Sequence, residues 1–183
     1  GHVVELDSAK TIADGIAVKK PGQMTFELCS RYVDEIVTVD DDEIAQAILL
    51  LMERGKMVAE GAGAASVAAI MSRKFDVSGK VAAVISGGNI DVTMISRIIE
   101  KGLLREGRMT KLRILMQDRP GQLEQASRVI AAAGANVMAV HHDRTDVDLD
   151  IRDAILEITM ETQDREHAQR VIRALRESGF QVH

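Results

Sequence analysis

Lys111-Leu-Arg-Ile-Leu-Met-Gln117 runs into Asp118-Arg-Pro-Gly121 and then into Gln122-Leu-Glu-Gln-Ala-Ser-Arg-Val-Ile-Ala-Ala-Ala133. The first seven residues alternate as a half-buried strand does. Pro120 fixes one φ, and Gly121 permits a tight turn into a helix. Helical spacing holds from Gly121 to Ala133, and Gly134 supplies a helix C-cap. Downstream, Asn136–His142 reads as a strand, Asp143–Arg152 as an acidic turn and Asp153–Thr162 as a second strand. Gln163–Ser178 reads as a helix with Ala168, Val171, Ile172 and Leu175 on one face, closed by Gly179. Phe180-Gln181-Val182 is a last short strand.

That order, β-α-β-β-α-β, is the ferredoxin-like split arrangement. Its four-stranded sheet leaves edges that a second copy can pair with, so an oligomer is expected. Upstream of residue 107 the grammar changes. Residues 1–107 mix Lys and Arg, whereas residues 108–183 hold ten Arg and one Lys. The polar join Leu104-Arg105-Glu106-Gly107-Arg108 reads as a linker, dividing the chain into domains 1–107 and 108–183.

The first domain reads as alternating helices and strands. Thr25–Arg31 is helical. Glu35–Val39 (EIVTV) is a short β-branched run. Asp40 opens a helix to about Gly55, with acidic residues in the first turn that complement the macrodipole. Gly61–Met71 is a helix of small residues. Lys80–Ile85 (KVAAVI) has the continuous apolar character of a strand buried on both faces. Asp91 to about Lys101 is helical again. Buried strand, glycine turn and helix together indicate a doubly wound α/β layer. Two strands are too few to complete such a sheet, so the layer reads as partial.

Composition narrows the function classes. The 183 residues carry 23 Lys and Arg against 28 Asp and Glu, a net charge of −5, which argues against a general nucleic-acid binder. With aromatics at 2% and no Trp there is no base-stacking platform. The single Cys29 excludes an intrachain disulfide and a cysteine-cluster metal site, and fits a cytoplasmic protein. No apolar stretch is long enough to span a membrane, and no signal peptide is visible.

Two short motifs of the first domain can carry chemistry. Ser86-Gly87-Gly88-Asn89 comes directly after the KVAAVI run, where ligands gather at the carboxyl ends of strands in open α/β sheets. Its glycines allow close backbone approach, and a serine hydroxyl can face a heteroaromatic nitrogen as donor or acceptor. The plainer reading is an ordinary strand-to-helix turn. Glu60-Gly61-Ala62-Gly63-Ala64 places a carboxylate just before a helix, and its plainer reading is a capping acid.

Thr11-Ile-Ala-Asp-Gly15, Glu60-Gly-Ala-Gly-Ala64 and Ser86-Gly-Gly-Asn89, in that order, resemble the C-terminal part of the threonine ammonia-lyase (threonine dehydratase) and serine racemase family. These are fold-type-II enzymes that use pyridoxal phosphate, and the resemblance covers about residues 3–101. It implies that Ser86 faces the pyridine nitrogen, with Gly87, Gly88 and Asn89 beside the cofactor and Glu60 near it. It implies a parent enzyme that converts L-threonine to 2-oxobutanoate and ammonia. The family's Schiff-base lysine, in an SFK-type motif, has no counterpart here, nor does its glycine-rich phosphate loop. Lys10, Lys19 and Lys20 stand in a different context. No catalytic residue is therefore assigned in this chain. It is expected to be the C-terminal portion of such an enzyme and inactive alone, since this chemistry needs an imine-forming amine and an anion cradle. A serine dehydratase or racemase of the same fold is an alternative, as is a standalone amino-acid sensor or oligomerisation protein without catalysis.

Asp118-Arg-Pro-Gly-Gln-Leu123 with Gly134-Ala-Asn-Val137, in βαββαβ order, resembles an ACT domain over about residues 110–183. The resemblance implies an amino-acid effector bound between two copies at Asp118, Gly121, Gln122, Leu123 and Asn136, with isoleucine or valine the first expectation and, for a catabolic enzyme, a nucleotide or no effector the alternative. Some members use a His where Met116 stands. An ACT fold serving only dimer contacts is the alternative. Among the remaining polar residues, His141 and His142 are adjacent on a strand and point to opposite faces, so they cannot share a metal. His167 is expected on a solvated helix face. The run Asp143, Asp146, Asp148, Asp150 and Asp153 lacks the glycine and terminal glutamate of a calcium loop and reads as a solvated hairpin. No metal is expected.

Overall fold

A computed structural model of the chain describes residues 1–76, 78–145, 147 and 149–183. The chain forms two compact units, Gly1–Ile99 and Glu100–His183.

The first unit is built on helices α1 (Gln23–Tyr32), α2 (Asp41–Leu50) and α3 (Gly61–Met71) and the first half of α4 (Val92–Glu106). Asp40 starts α2 with a capping box: its carboxylate accepts from Glu43 N–H at 2.8 Å, and Glu43 accepts from Asp40 N–H at 2.9 Å. A π-helical turn, Leu51–Gly55, prolongs it. Ile44, Ala47 and Ile48 of α2 bury against Ala64 and Ala68 of α3, with Ile98 of α4 in the same cluster. The small residues of α3 permit this close packing.

The two expected strands of this unit are extended segments, not strands: residues 35–39 and 80–85 have no ladder partner among the described residues. Val81 and Val84 are exposed rather than buried on both faces. A strand is completed by its neighbours' N–H and C=O groups, and a continuous apolar run reports only that such neighbours suit it. The segment is nonetheless tied down, because the Ser66 hydroxyl donates to Val84 C=O at 2.8 Å.

The second unit is a four-stranded antiparallel sheet in the order β2-β3-β1-β4, made of β1 (Met109–Gln117), β2 (Asn136–Asp143), β3 (Asp153–Glu161) and β4 (Gln181–Val182). Helices α5 (Gln122–Ala132) and α6 (Arg165–Glu177) complete the expected βαββαβ order. Every second residue of β1 (Leu112, Ile114, Met116) and of β3 (Ala154, Leu156, Ile158, Met160) enters one core with Ala126 and Ile130 of α5 and Val171 and Leu175 of α6. The helices therefore share one face of the sheet. β2 is an edge strand with Met138 and Val140 exposed, and a bulge between Val137 and Ala139 interrupts its pairing with β3.

The structure corrects two further expectations. Residues 104–106 are not linker but the last turn of α4, which runs past Lys101 to Glu106 and stops at Gly107, where φ is +73°. The carbonyl of Arg105 receives both Nε and Nη2 of Arg165, at 2.9 and 2.5 Å, while the buried Thr162 donates its hydroxyl to Gly107 C=O at 2.5 Å. His167 is not solvated: it is 3% exposed. Its Nδ1 accepts from Gln163 N–H at 3.1 Å, so Nε2 is the nitrogen that donates to Ala133 C=O, at 2.8 Å. The ring thus joins the end of α5 to the start of α6.

Candidate functional site

In the first unit the three family-like motifs converge, and glycine is what lets them. A Cβ on Gly61 would collide with the backbone of Ile12 and Ala13, one on Gly63 would lie 2.6 Å from Gly87 C=O, and one on Gly88 2.7 Å from Val58 C=O. The backbone of EGAGA is thereby sandwiched between TIADG and SGGN. Thr11 Oγ1 anchors the first motif on Asp41 at 2.5 Å, and Glu60 N–H donates to Gly87 C=O at 3.1 Å.

Glu60 occupies the N-cap position of α3, yet its side chain makes no capping bond. Its carboxylate lies against Gly87 instead, in space that a side chain on Gly87 would need. The capping role is thus unfilled, and the acid faces the SGGN turn. Ser86, Gly88 and Asn89 are exposed on that turn, and Gly87 is half-buried. Asp91 is next along the chain but one. Its carboxyl is held below the usual range by the Thr93 N–H, at 2.8 Å, and the Thr93 hydroxyl, at 3.0 Å. An exposed serine hydroxyl, two glycines without side chains and a nearby carboxylate fit the ring edge of a planar heteroaromatic cofactor. Lys20 pairs with Glu5 at 2.9 Å, on exposed surface.

In the second unit the expected effector residues separate into two places. Asp118 and Gly121 lie beyond the end of β1, where Gln117 faces Asp153. Asn136 starts β2 opposite Glu161, eight residues along β3 and so roughly 26 Å away at strand rise. One copy of the chain does not bring them together. Both also have partners that the sequence did not disclose. Asp118 pairs with Arg144 at 2.9 Å and stands 3.7 Å from His142 Nε2, and Asn136 Nδ2 donates to Glu161 at 2.9 Å. The Asn136–Glu161 pair spans 25 residues of sequence and the Asp118 pairs a similar distance, and no local spacing announces them. Gln122 and Leu123 open α5 behind Gly121, whose φ is +93° and which gives the helix no side-chain cap. Of the acidic run, Asp146 and Asp148 lie outside the described residues. Among those described, no group of three His, Cys, Asp or Glu is placed to hold a metal.

A glycine-built junction around Ser86 and Glu60 in the first unit and a βαββαβ sheet with an open β2 edge in the second define a class: an α/β segment followed by a ferredoxin-like module. Residues 1–87 match the family described as pyridoxal-phosphate dependent enzyme, and residues 110–180 match the ACT domain. The chain thus carries a pyridoxal-phosphate dependent enzyme segment followed by an ACT domain. It is 50% identical over all 183 residues to an L-threonine ammonia-lyase of Thermotoga maritima, covering 45% of that protein. It is 45% identical over its full length to an L-threonine ammonia-lyase of Geobacter sulfurreducens, covering 46% of it. The solved structure of the processed form of threonine deaminase isoform 2 from Solanum lycopersicum is 32% identical and covers 55% of this chain and 30% of that one, with a TM-score of 0.49. The chain thus spans somewhat under half the length of the curated relatives it matches. Among the described residues no helix is long and apolar enough to cross a membrane.

Proposed function

We propose that these 183 residues are the C-terminal portion of a cytoplasmic threonine ammonia-lyase, which converts L-threonine to 2-oxobutanoate and ammonia. Residues 1–107 serve the catalytic domain and residues 108–183 the regulatory one. The observation that carries this reading is the 50% identity, over all 183 residues and so over both halves, to an L-threonine ammonia-lyase. Pyridoxal phosphate, when bound, supplies the electron sink for cleavage at the amino-acid substrate. This chain's part is narrower. Ser86 would offer its hydroxyl to the ring nitrogen, Gly87, Gly88 and Asn89 would hold the cofactor from the turn, and Glu60 would set the charge nearby.

The 183 residues alone are expected to give no 2-oxobutanoate from L-threonine, because no lysine here stands in a context suited to the imine. In a complete enzyme that contains them, Ser86→Ala weakens cofactor affinity or turnover. Unchanged behaviour of that variant removes Ser86 from the site, and turnover of L-serine but not L-threonine replaces the lyase reading with the serine-specific one.

For the ACT half, the reading is an amino-acid effector, isoleucine or valine first, held between two copies. The exposed β2 edge supports it. Antiparallel pairing of two β2 edges about a two-fold axis would carry the partner's Asn136 to the end of the sheet where Asp118, Gly121, Gln122 and Leu123 lie. Titration of the oligomeric chain with branched-chain amino acids tests this, since Asn136→Ala should abolish the response.

A further inference from the structure

Four consecutive acids, Asp40-Asp41-Asp42-Glu43, stand where α2 opens. A first-turn acid needs no role beyond complementing the helix dipole, but the structure separates their work. Asp40 and Glu43 cap α2 between them. Asp41 reaches away from the helix. Its Oδ1 accepts the Thr11 hydroxyl at 2.5 Å and the Ile12 N–H at 3.2 Å, 30 and 29 residues back along the chain. Thr11 Oγ1 accepts in turn from Ala13 N–H at 3.1 Å. One carboxylate oxygen and one hydroxyl thus hold three consecutive residues of TIADG.

Those three residues back the glycine junction. The backbone of Ile12 and Ala13 lies so close to α3 that a Cβ on Gly61 would stand 2.3 Å from Ile12 C=O. Ala13 itself is buried. Two residues further along α3, Gly63 is pressed as closely against Gly87. Glu60 meets Gly87 through both its N–H and its carboxylate. Backbone touches backbone at each layer, with no side chain between them to absorb movement. A shift of TIADG therefore passes into the first turn of α3, and from there into the turn that carries Ser86.

We propose that Asp41 is a positioning residue of the cofactor site: its hold on Thr11 and Ile12 seats TIADG against EGAGA and so sets where Glu60 and Ser86 stand. This rests on the reading that Ser86 serves the cofactor ring. Both partners of Asp41 are donors, so the role calls for an acceptor oxygen at this place rather than for a charge. Asparagine can supply that oxygen and alanine cannot.

The first measurement needs no cofactor. In the 183-residue chain, Asp41→Ala should shift the amide resonances of Glu60, Gly63 and Gly87, and Asp41→Asn should leave them at their parent positions. Thr11→Val removes the same hydroxyl bond with little change of shape, and takes the place of Asp41→Ala if that variant does not fold. The second measurement uses a complete enzyme that contains these residues. There Asp41→Ala and Thr11→Val should each weaken pyridoxal phosphate binding about tenfold, read from the absorbance of the bound cofactor, with Asp41→Asn close to the parent. Amides of Gly63 and Gly87 that stay in place in Asp41→Ala overturn the proposal. So does Asp41→Asn behaving like Asp41→Ala, which would make the charge and not the clamp responsible. Cofactor binding that falls in Ser86→Ala but not in Asp41→Ala overturns the proposal alone. Binding indifferent to Ser86→Ala removes the reading on which it rests, and the proposal with it.

Discussion

Residues 80–85 and residues 112–116 are both apolar runs of strand length, and their environments could hardly differ more. Leu112, Ile114 and Met116 are buried between a sheet and two helices, with β3 on one side of their strand and β4 on the other. Val84 is 75% exposed, and its run has no strand beside it among the described residues. Each run is apolar but for one basic residue, Lys80 in the first and Arg113 in the second, so apolar character alone is not what makes a strand. Partners are, and the second unit encodes all of its own within 84 residues. The first unit shows what is left when helices α2 and α3 pack well and the extended segments do not pair. It exposes Val4, Leu6, Val18, Met24 and Ile36 as well as Val81 and Val84.

The sharpest way to break this comparison is hydrogen exchange. Amides of β3 from residue 154 to 160 should be protected about a thousandfold or more beyond those of residues 81–85. Similar protection in both would mean that residues 80–85 find partners in solution. Next in size is a pair of truncations read by urea unfolding. Leu156→Ala, at a fully buried position, should cost about 2–5 kcal/mol. Val84→Ala should stay within about 0.5 kcal/mol. A large effect at Val84 would erase the distinction between the units. A smaller effect is expected at His167, where His167→Leu leaves Gln163 N–H and Ala133 C=O unpaired and should cost about 1–3 kcal/mol. His167→Gln, which can restore one of the two bonds, should lose less.

The smallest effect sharpens the comparison from the side of the first unit. The Glu43 carboxyl is held below its usual range by the Lys74 ammonium, 2.7 Å away, and by the Asp40 N–H. A carboxyl with a lowered folded-state value stabilises the fold above its unfolded value, and that stabilisation disappears as pH falls through the lowered one. Glu43→Gln should therefore flatten the acid limb of the stability curve and leave the neutral-to-alkaline limb with its slope unchanged. An acid limb that keeps its shape would show that the pair contributes nothing.

Where the sequence is legible, local spacing makes it so. All six elements of the ACT half arise from periodicity and its glycine stops, and α3 from a run of Ala, Gly and Ser bounded by Glu60 and Ser72. Asp40 and Glu43 even stand at capping-box spacing. The illegible parts depend on distant chain. His167 lies on a helix whose charged neighbours suggest a wet face, and only the end of α5 covering it makes it a core residue. The site shows the same division. TIADG, EGAGA and SGGN are legible as motifs, but that Glu60 turns toward Gly87 instead of capping α3 needs coordinates. So do the Arg144 clasp on Asp118 and the Asp41 hold on Thr11.

The end of α4 decides where this molecule can be divided with a protease or a stop codon. A fragment beginning at Arg108, on the strand side of the sequence boundary, would discard the Arg105 carbonyl that holds Arg165 and the Gly107 carbonyl that holds the buried Thr162 hydroxyl. It would also discard Glu100, which pairs with Lys111 at 2.8 Å. A fragment beginning at Glu100 keeps all three. The stretch that reads as linker in the sequence is, for anyone wielding scissors, the hem of the neighbouring garment.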